Sequence, residues 1–168
     1  MITHLLPVLC LLGSADAAAT SDVQRDGVVA VWFAPAVMPQ AGLPLAVQVG
    51  AQLGPRAMIT AWYGALPIAN IRASAWSVGA RWYLGEAALA PFLTAEGGKL
   101  VREQDDTGGR QDNYAFASMG IGLEKVWAHH FSLAGDVQAG PGHRDAGSYH
   151  EAGWVLWSQL RLAVGLRF

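Results

Sequence analysis

The side chains of this chain that could do chemistry are histidines, serines and carboxylates gathered in three places. His129-His130-Phe131-Ser132 sets an imidazole two positions before a hydroxyl, the arrangement of a base and a nucleophile. That pair works only with a carboxylate to orient the imidazole. His143, Asp145, Ser148 and His150 crowd the segment from Pro141 to Glu151 and could bind a metal or form a hydrolytic group. Polar side chains of this kind also simply solvate an exposed loop. Asp105-Asp106-Thr107-Gly108-Gly109-Arg110-Gln111-Asp112-Asn113 is rich in oxygen ligands, but it lacks the ordered spacing and terminal Glu of a calcium loop. Gly97-Gly98 is followed by no helix whose N-terminus could receive a phosphate. No group is a complete set, so no catalytic, cofactor-binding or metal-binding residue is expected, no cofactor is implied, and the chain is read as a non-enzyme.

The elements that must position these residues are strands. From Trp154 to Phe168 one parity reads Trp154, Leu156, Ser158, Leu160, Leu162, Val164, Leu166, Phe168, and the other reads Val155, Trp157, Gln159, Arg161, Ala163, Gly165, Arg167. A period of two held over about fifteen residues is long enough for a tilted strand to cross a bilayer. A helix would instead place the leucines on opposing sides together with the arginines. The alternation recurs in Leu45 to Leu53, Trp76 to Leu84, Ala117 to Glu124 and Phe131 to Gly140, with small residues and isolated charges sharing one face. It is less regular in 57–66 and 88–103, and 28–34 is an apolar run without a polar parity. Eight strands are expected, at 28–34, 43–53, 57–66, 74–84, 88–103, 112–126, 130–141 and 153–168. Short turns at 54–56, 85–87 and 127–129 then alternate with longer connections at 35–42, 67–73, 104–111 and 142–152, rich in Gly, Pro, Asp and Asn.

Composition agrees with that reading. A content of 52% hydrophobic and 14% charged residues is apolar for a soluble domain of 168 residues. Beyond the N-terminus, no stretch approaches the roughly 20 apolar residues that a spanning helix needs. Twenty glycines and eight prolines work against long helices, seven tryptophans supply interfacial anchors, and a net charge of -2 gives no sign of a nucleic-acid partner. Residues 1–19 read as a secretory signal peptide: an apolar run is followed by Ala15-Asp16-Ala17, which fits an A-x-A cleavage site. His4 stands where Lys or Arg is usual, which points to a start codon other than Met1. Cys10, the single cysteine, would leave with that segment, and Leu9 before it disfavours lipidation. Residues 20–168 form the barrel domain.

The architecture expected is all-β: an eight-stranded antiparallel transmembrane β-barrel, closed because lipid cannot satisfy free backbone groups. Its lumen-facing set would include Arg81, Glu96, Glu124, Asp136, Arg161 and Arg167 with Gln48, Gln52, Gln138 and Gln159, three arginines neutralising three carboxylates in a packed polar interior. A conducting pore is the weaker expectation. Trp82, Tyr83, Trp127 and Phe168 near the short turns, and Tyr63, Trp76, Tyr114 and Trp154 near the loops, would form two aromatic girdles.

Val78-Gly79-Ala80-Arg81-Trp82-Tyr83-Leu84, Ala90-Pro91-Phe92-Leu93-Thr94-Ala95-Glu96-Gly97-Gly98, Gly120-Ile121-Gly122-Leu123-Glu124 and the ending Leu162-Ala163-Val164-Gly165-Leu166-Arg167-Phe168 resemble the small outer-membrane β-barrel superfamily, the OmpA/OmpX-like eight-stranded type. The resemblance covers essentially the whole chain after the signal peptide and specifies a fold, not an activity, since members include adhesins, anchors and lipid-modifying enzymes. It implies a bacterial outer-membrane location, contact with outer-membrane lipid, a monomer, and a C-terminal Phe168 read by the barrel-assembly machinery. The role expected is structural or surface-interacting. Two alternatives stand beside it. His130-x-Ser132 is similar to the His-x-Ser pair of outer-membrane lipid A deacylases, although here it follows a short periplasmic turn. A soluble periplasmic, lipocalin-like barrel would instead turn its leucines inward around an apolar ligand.

Overall fold

The computed structural model describes residues 27–38, 45–68, 71–104, 110–128, 130–145 and 151–168; the segment 1–19 with Cys10, residues 105–109 of the oxygen-rich run, His129, Ser148 and His150 lie outside them. Eight strands follow one another: β1 (Gly27–Met38), β2 (Ala46–Gln52), β3 (Ala57–Ile68), β4 (Ile71–Tyr83), β5 (Leu89–Gln104), β6 (Arg110–Trp127), β7 (Phe131–Arg144) and β8 (Gly153–Arg167). Each pairs antiparallel with the next, and β1 pairs with β8, so the sheet closes on itself. The seam is sealed at its end by two main-chain bonds between Gly27 and Phe168, 2.9 Å and 3.3 Å. No helix among the described residues is long and apolar enough to cross a membrane.

Alternation sets which way each wall residue points. In β8, Trp157, Gln159, Arg161, Ala163, Gly165 and Arg167 are buried while Leu156, Leu160, Leu162, Val164 and Leu166 are exposed. The same division holds around the barrel: Val47, Val49, Val78, Leu93, Ile121 and Val137 face out, and Gln48, Ser77, Arg81, Thr94, Glu96, Glu124 and Asp136 face in. The inverse arrangement, with leucines gathered round an internal ligand, is therefore not the one adopted. An exterior of this composition is stable only against an apolar medium, because each such side chain left in water forgoes about 1.5–3 kcal/mol.

Several boundaries differ from the sequence expectation: β6 starts at Arg110 instead of 112, β7 runs on to Arg144 instead of ending at 141, and prolines bear on two of the others. The run 67–73 reads as a loop because of Pro67 and Asn70, yet β3 and β4 remain paired as far as Ile68 with Ile71. β2 pairs with β3 only up to Ala46 with Gly64, so above that level Pro67 faces no described β2 residue and can omit its N–H without breaking that ladder. β1 continues past Pro35 to Met38, and its register against β8 shifts between Phe33 and Ala36, a bulge that takes up the proline. β2 is shorter than expected, starting at Ala46 after Pro44 and Leu45.

Lumen-side glycines let the wall bend. A Cβ on Gly140 would run into the carbonyl oxygen of Ala117, and one on Gly98 into that of Trp76. Gly140→Ala should therefore cost about 1–3 kcal/mol of stability, measured by urea unfolding of the barrel in lipid vesicles. Gly54→Ala, in a turn with nothing within 4 Å of the new methyl, should stay within about 0.5 kcal/mol of the parent.

Candidate functional site

The interior has three layers, each placed by the inward parity of its strands. Nearest the short turns, β4, β6 and β8 bring Tyr83, Glu124 and Arg167 together. The Arg167 guanidinium donates from Nε to Glu124 Oε1 at 3.0 Å and from Nη2 to the Tyr83 hydroxyl at 2.7 Å, and that hydroxyl donates to Glu124 Oε2 at 2.6 Å. Arg81 completes the group, with Nη1 4.0 Å from Glu124 Oε2 and its guanidinium 4.2 Å over the Phe92 ring. A cation on an aromatic face and a carboxylate shared by two arginines attract more strongly in the low-dielectric interior than in water, which offsets part of the cost of burying the charges.

At mid-height, Arg161 of β8 bridges two carboxylates. It grips Asp136 with Nε and Nη2 at 2.9 Å and 3.1 Å, and Nη1 reaches Glu96 Oε2 at 2.9 Å. The remaining lone pairs are taken by neutral donors: Trp62 Nε1 bonds to Glu96 Oε2 at 3.2 Å, Gln138 Nε2 bonds to Asp136 Oδ1 at 2.9 Å, and the Gln159 amide bonds to Glu96 Oε1. Ser118 adds a bond to Gln138 at 2.8 Å. Three arginines and three carboxylates, all buried, cancel within this interior.

Above the charges the filling is aromatic. Phe116 and Trp157 stack with centroids 4.1 Å apart and planes 4° apart, and the Trp62 ring lies 6.3 Å from that of Phe116 with planes 22° apart. Leu100 and Tyr114 are buried with them.

Every residue expected in the lumen is there. Arg81, Glu96, Glu124, Asp136, Arg161, Arg167, Gln48, Gln138 and Gln159 are buried, and Gln52, near the end of β2, is half-buried with its amide donating to the Gly54 carbonyl. Two girdle assignments are corrected. Tyr83 and Tyr114 are 0% and 1% exposed and belong to the interior. Their parity, shared with Arg81 and with Ser118, carried that information. Trp82, Phe168, Tyr63, Trp76 and Trp154 do face outward, and Trp127 is half-buried. Interior aromatics Trp62, Phe92, Phe116 and Trp157 also follow from parity, with Thr60, Thr94, Ser118 and Gln159 as the polar neighbours that mark it.

The candidate hydrolytic pairs do not assemble. Ser132 is buried in the lumen, whereas His130 is exposed at the turn and its Nδ1 lies 3.4 Å from the main-chain oxygen of Arg167. His143 stands 3.5 Å from Asp145 at the loop rim, half-exposed, with its ring edge against Trp154 at 5.3 Å. Among the described residues no three His, Cys, Asp or Glu side chains are grouped to hold a metal. Asp112 and Asn113 lie within β6, and Gly97 and Gly98 within β5.

No protein-family model matches the chain, and neither does any curated protein sequence. Solved structures do. The N-terminal barrel of Pseudomonas aeruginosa OprF aligns with a TM-score of 0.63 at 14% identity, over 86% of this chain and 98% of that one. The Neisserial surface protein NspA aligns with a TM-score of 0.59 at 13% identity, over 84% and 96%. The outer membrane protein AlkL, solved in lipid bilayers, aligns at 0.54 with 10% identity, over 91% and 92%. This chain has the fold of the small outer-membrane β-barrels. In a barrel of eight strands side chains can fill the interior, and here Arg161 with Glu96 and Asp136, and Arg167 with Glu124 and Tyr83, form its bonded core, while the Ser77, Tyr114 and Trp157 polar atoms are buried without a hydrogen-bond partner among the described residues.

Removing one partner from the middle layer should therefore be costly. Arg161→Met leaves Glu96 and Asp136 buried without their cation and is expected to cost about 3–5 kcal/mol. Adding Glu96→Gln and Asp136→Asn to that variant should restore most of the loss, as read from unfolding midpoints of the three proteins in the same vesicles.

Proposed function

We propose that this protein stands in a bacterial outer membrane as a non-enzymatic, closed barrel with a structural or surface-interaction role. Its short turns then face the periplasm and its long connections the exterior. The observation that carries the reading is the combination of an apolar outward face with an interior in which, among the described residues, three buried arginines stand against three buried carboxylates: the wall suits lipid and the lumen is largely filled. The fold shared with OprF's barrel and NspA supports the location. The separation of His130 from Ser132 takes support away from a lipid-hydrolysing reading. Residues 1–19 would serve as the export signal. Phe168, 71% exposed at the end of β8 beside β1, would be presented to the barrel-assembly machinery.

The test is electrical and electrophoretic. Purified barrel reconstituted in a planar lipid bilayer should give no steady conductance, and the unboiled protein from isolated outer membranes should migrate differently on a gel from the boiled one. Steady conductance steps would sink the closed lumen, and an unshifted, soluble protein would sink the membrane location. His130→Ala should leave the lipid species of the outer membrane unchanged; an altered lipid profile would return the enzyme reading to first place.

A further inference from the structure

The lipid-facing wall is not uniform. Across β4 to β7 it carries a groove of about 650 Å³ whose outward-facing lining is Ala80, Ala95, Gly97, Ala117 and Ala139, with Val78, Met119 and Pro141 as its larger borders. Two features of the chain sink this groove below the surrounding leucines. The lining side chains are small, and the β6–β7 ladder skips Ala117 and Ser118 opposite Gly140 and Pro141, where Pro141 has no N–H to donate. A second groove of about 500 Å³ lies on the same wall among Leu84, Pro91, Leu93, Ile121, Val137 and Leu160, but it is bordered by large apolar side chains, and the groove at Ala95, Gly97, Ala117 and Ala139 is the one with Lys99 at its end.

At the loop-side end of the groove stands a cation. Lys99 lies two residues beyond Gly97 on the same face of β5, about 6.6 Å further along the strand. Its cross-strand neighbours on that face are Trp76 of β4 and Ala115 of β6. Trp76 is half-exposed to the surroundings of the barrel, as is Tyr63 beside it on β3. Amphipathic rings of that kind settle at the level of lipid headgroups. Among the described residues no carboxylate forms an ion pair with Lys99. Glu103, the next acidic residue on that face, has Arg72 directly opposite it in the register. An ammonium on an outward wall at headgroup level, next to a tryptophan and above an apolar slot, matches a molecule with an anionic head and a hydrocarbon chain.

We propose that this groove is a binding site for a phosphorylated lipid of the loop-side leaflet: one acyl chain lies in the slot between Ala95, Gly97, Ala117 and Ala139, and Lys99 pairs with the phosphate. The inference rests on the reading that the wall stands in a membrane. Commitment to a phosphorylated headgroup follows from charge complementarity, since a zwitterionic lipid brings its own cation and gains less from Lys99. The groove supplies what a surface lysine alone would lack, a fixed place for the chain and hence retention after the bulk bilayer is removed.

The test is native mass spectrometry of the folded full-length barrel released from neutral detergent micelles after incubation with bis-phosphorylated lipid A, and separately with phosphatidylcholine of similar total chain mass. The barrel should retain one lipid A molecule at least tenfold more readily than phosphatidylcholine. Lys99→Gln should cut that retention at least fivefold, Lys99→Arg should restore it, and Ala117→Leu, which fills the slot without touching the cation, should cut it as well. Lys125→Gln, at the other end of the wall, should leave it unchanged. Equal retention of the two lipids by the parent, or full retention by both Lys99→Gln and Ala117→Leu, overturns the site. Retention lost in Lys99→Gln but kept in Ala117→Leu overturns the slot and leaves only a surface charge. Heat-modifiable migration and insertion into vesicles, checked on each variant, separate these results from failure of the membrane reading, because a barrel that inserts normally yet retains no lipid A contradicts the site alone.

Discussion

For a wall that stands in lipid, as proposed for this protein, the first constraint is that no backbone N–H or C=O be left open to hydrocarbon. In a bilayer each unsatisfied group costs several kcal/mol with no water to relieve it, and a sheet can meet that demand only by having no edges. The pairing of β1 with β8, from Val28 opposite Arg167 up to Met38 opposite Ser158, is therefore the contact on which the rest depends. The bulge at Pro35 shows that the closure can absorb one irregularity without opening.

Closing a sheet of only eight strands creates the second constraint. The interior is narrow, so the inward parity must fill it completely, and any charge placed there is desolvated. Arg161 between Glu96 and Asp136, and Arg167 with Arg81 around Glu124, are the solution adopted. Pairs of this kind do not make a protein more stable than an apolar filling would. What they provide is register. Arg161 opposite Asp136 is a cross-strand neighbour pair on β7 and β8, and sliding either strand by one residue would send one of the two charges into lipid. The arrangement selects one barrel among many near-alternatives, which is useful in a wall where leucine and valine recur on every strand. The glycines serve the same narrow cross-section: with a side chain at Gly98 or Gly140 the neighbouring strand could not come so close.

Much of this was legible because the barrel uses the simplest code available, a period of two. Wherever polar and apolar residues alternate, as in β4, β7 and β8, the inward set could be read residue by residue, down to the matching of three arginines with three carboxylates. The reading failed where a second rule was laid over the first. Tyr83 and Tyr114 were assigned to the interfacial girdles by residue type and by nearness to strand ends, although their parity put them inside; parity, which is geometric, outranks preference, which is statistical. Prolines misled in the other direction. Pro35 and Pro67 look like breaks, yet β1 passes Pro35 by a register shift against β8 and Pro67 stays in register with Arg72 of β4, features of pairing that no single segment displays. The groove at Ala95, Gly97, Ala117 and Ala139 was invisible for a related reason: its residues come from three strands, and only the register brings them side by side.

The chemistry-bearing residues deserve the opposite conclusion from the one their sequence spacing suggests. His130 and Ser132 share a parity, which in an unbroken strand would place them on one face, but the chain turns at Trp127 to His130 and Ala128 adopts a left-handed backbone with φ of 49°. The imidazole is thereby left at the turn while the serine enters the lumen. A two-residue spacing is a statement about a strand, and here the strand begins between the two residues. The histidine and the serine stand two apart in the chain, yet the barrel uses them for different tasks, one in the turn that joins β6 to β7 and one in the packing beneath Gly165, whose missing Cβ would have met the Ser132 hydroxyl at 3.2 Å. On the proposed reading of a filled barrel, function is sought on the outer wall and the loops.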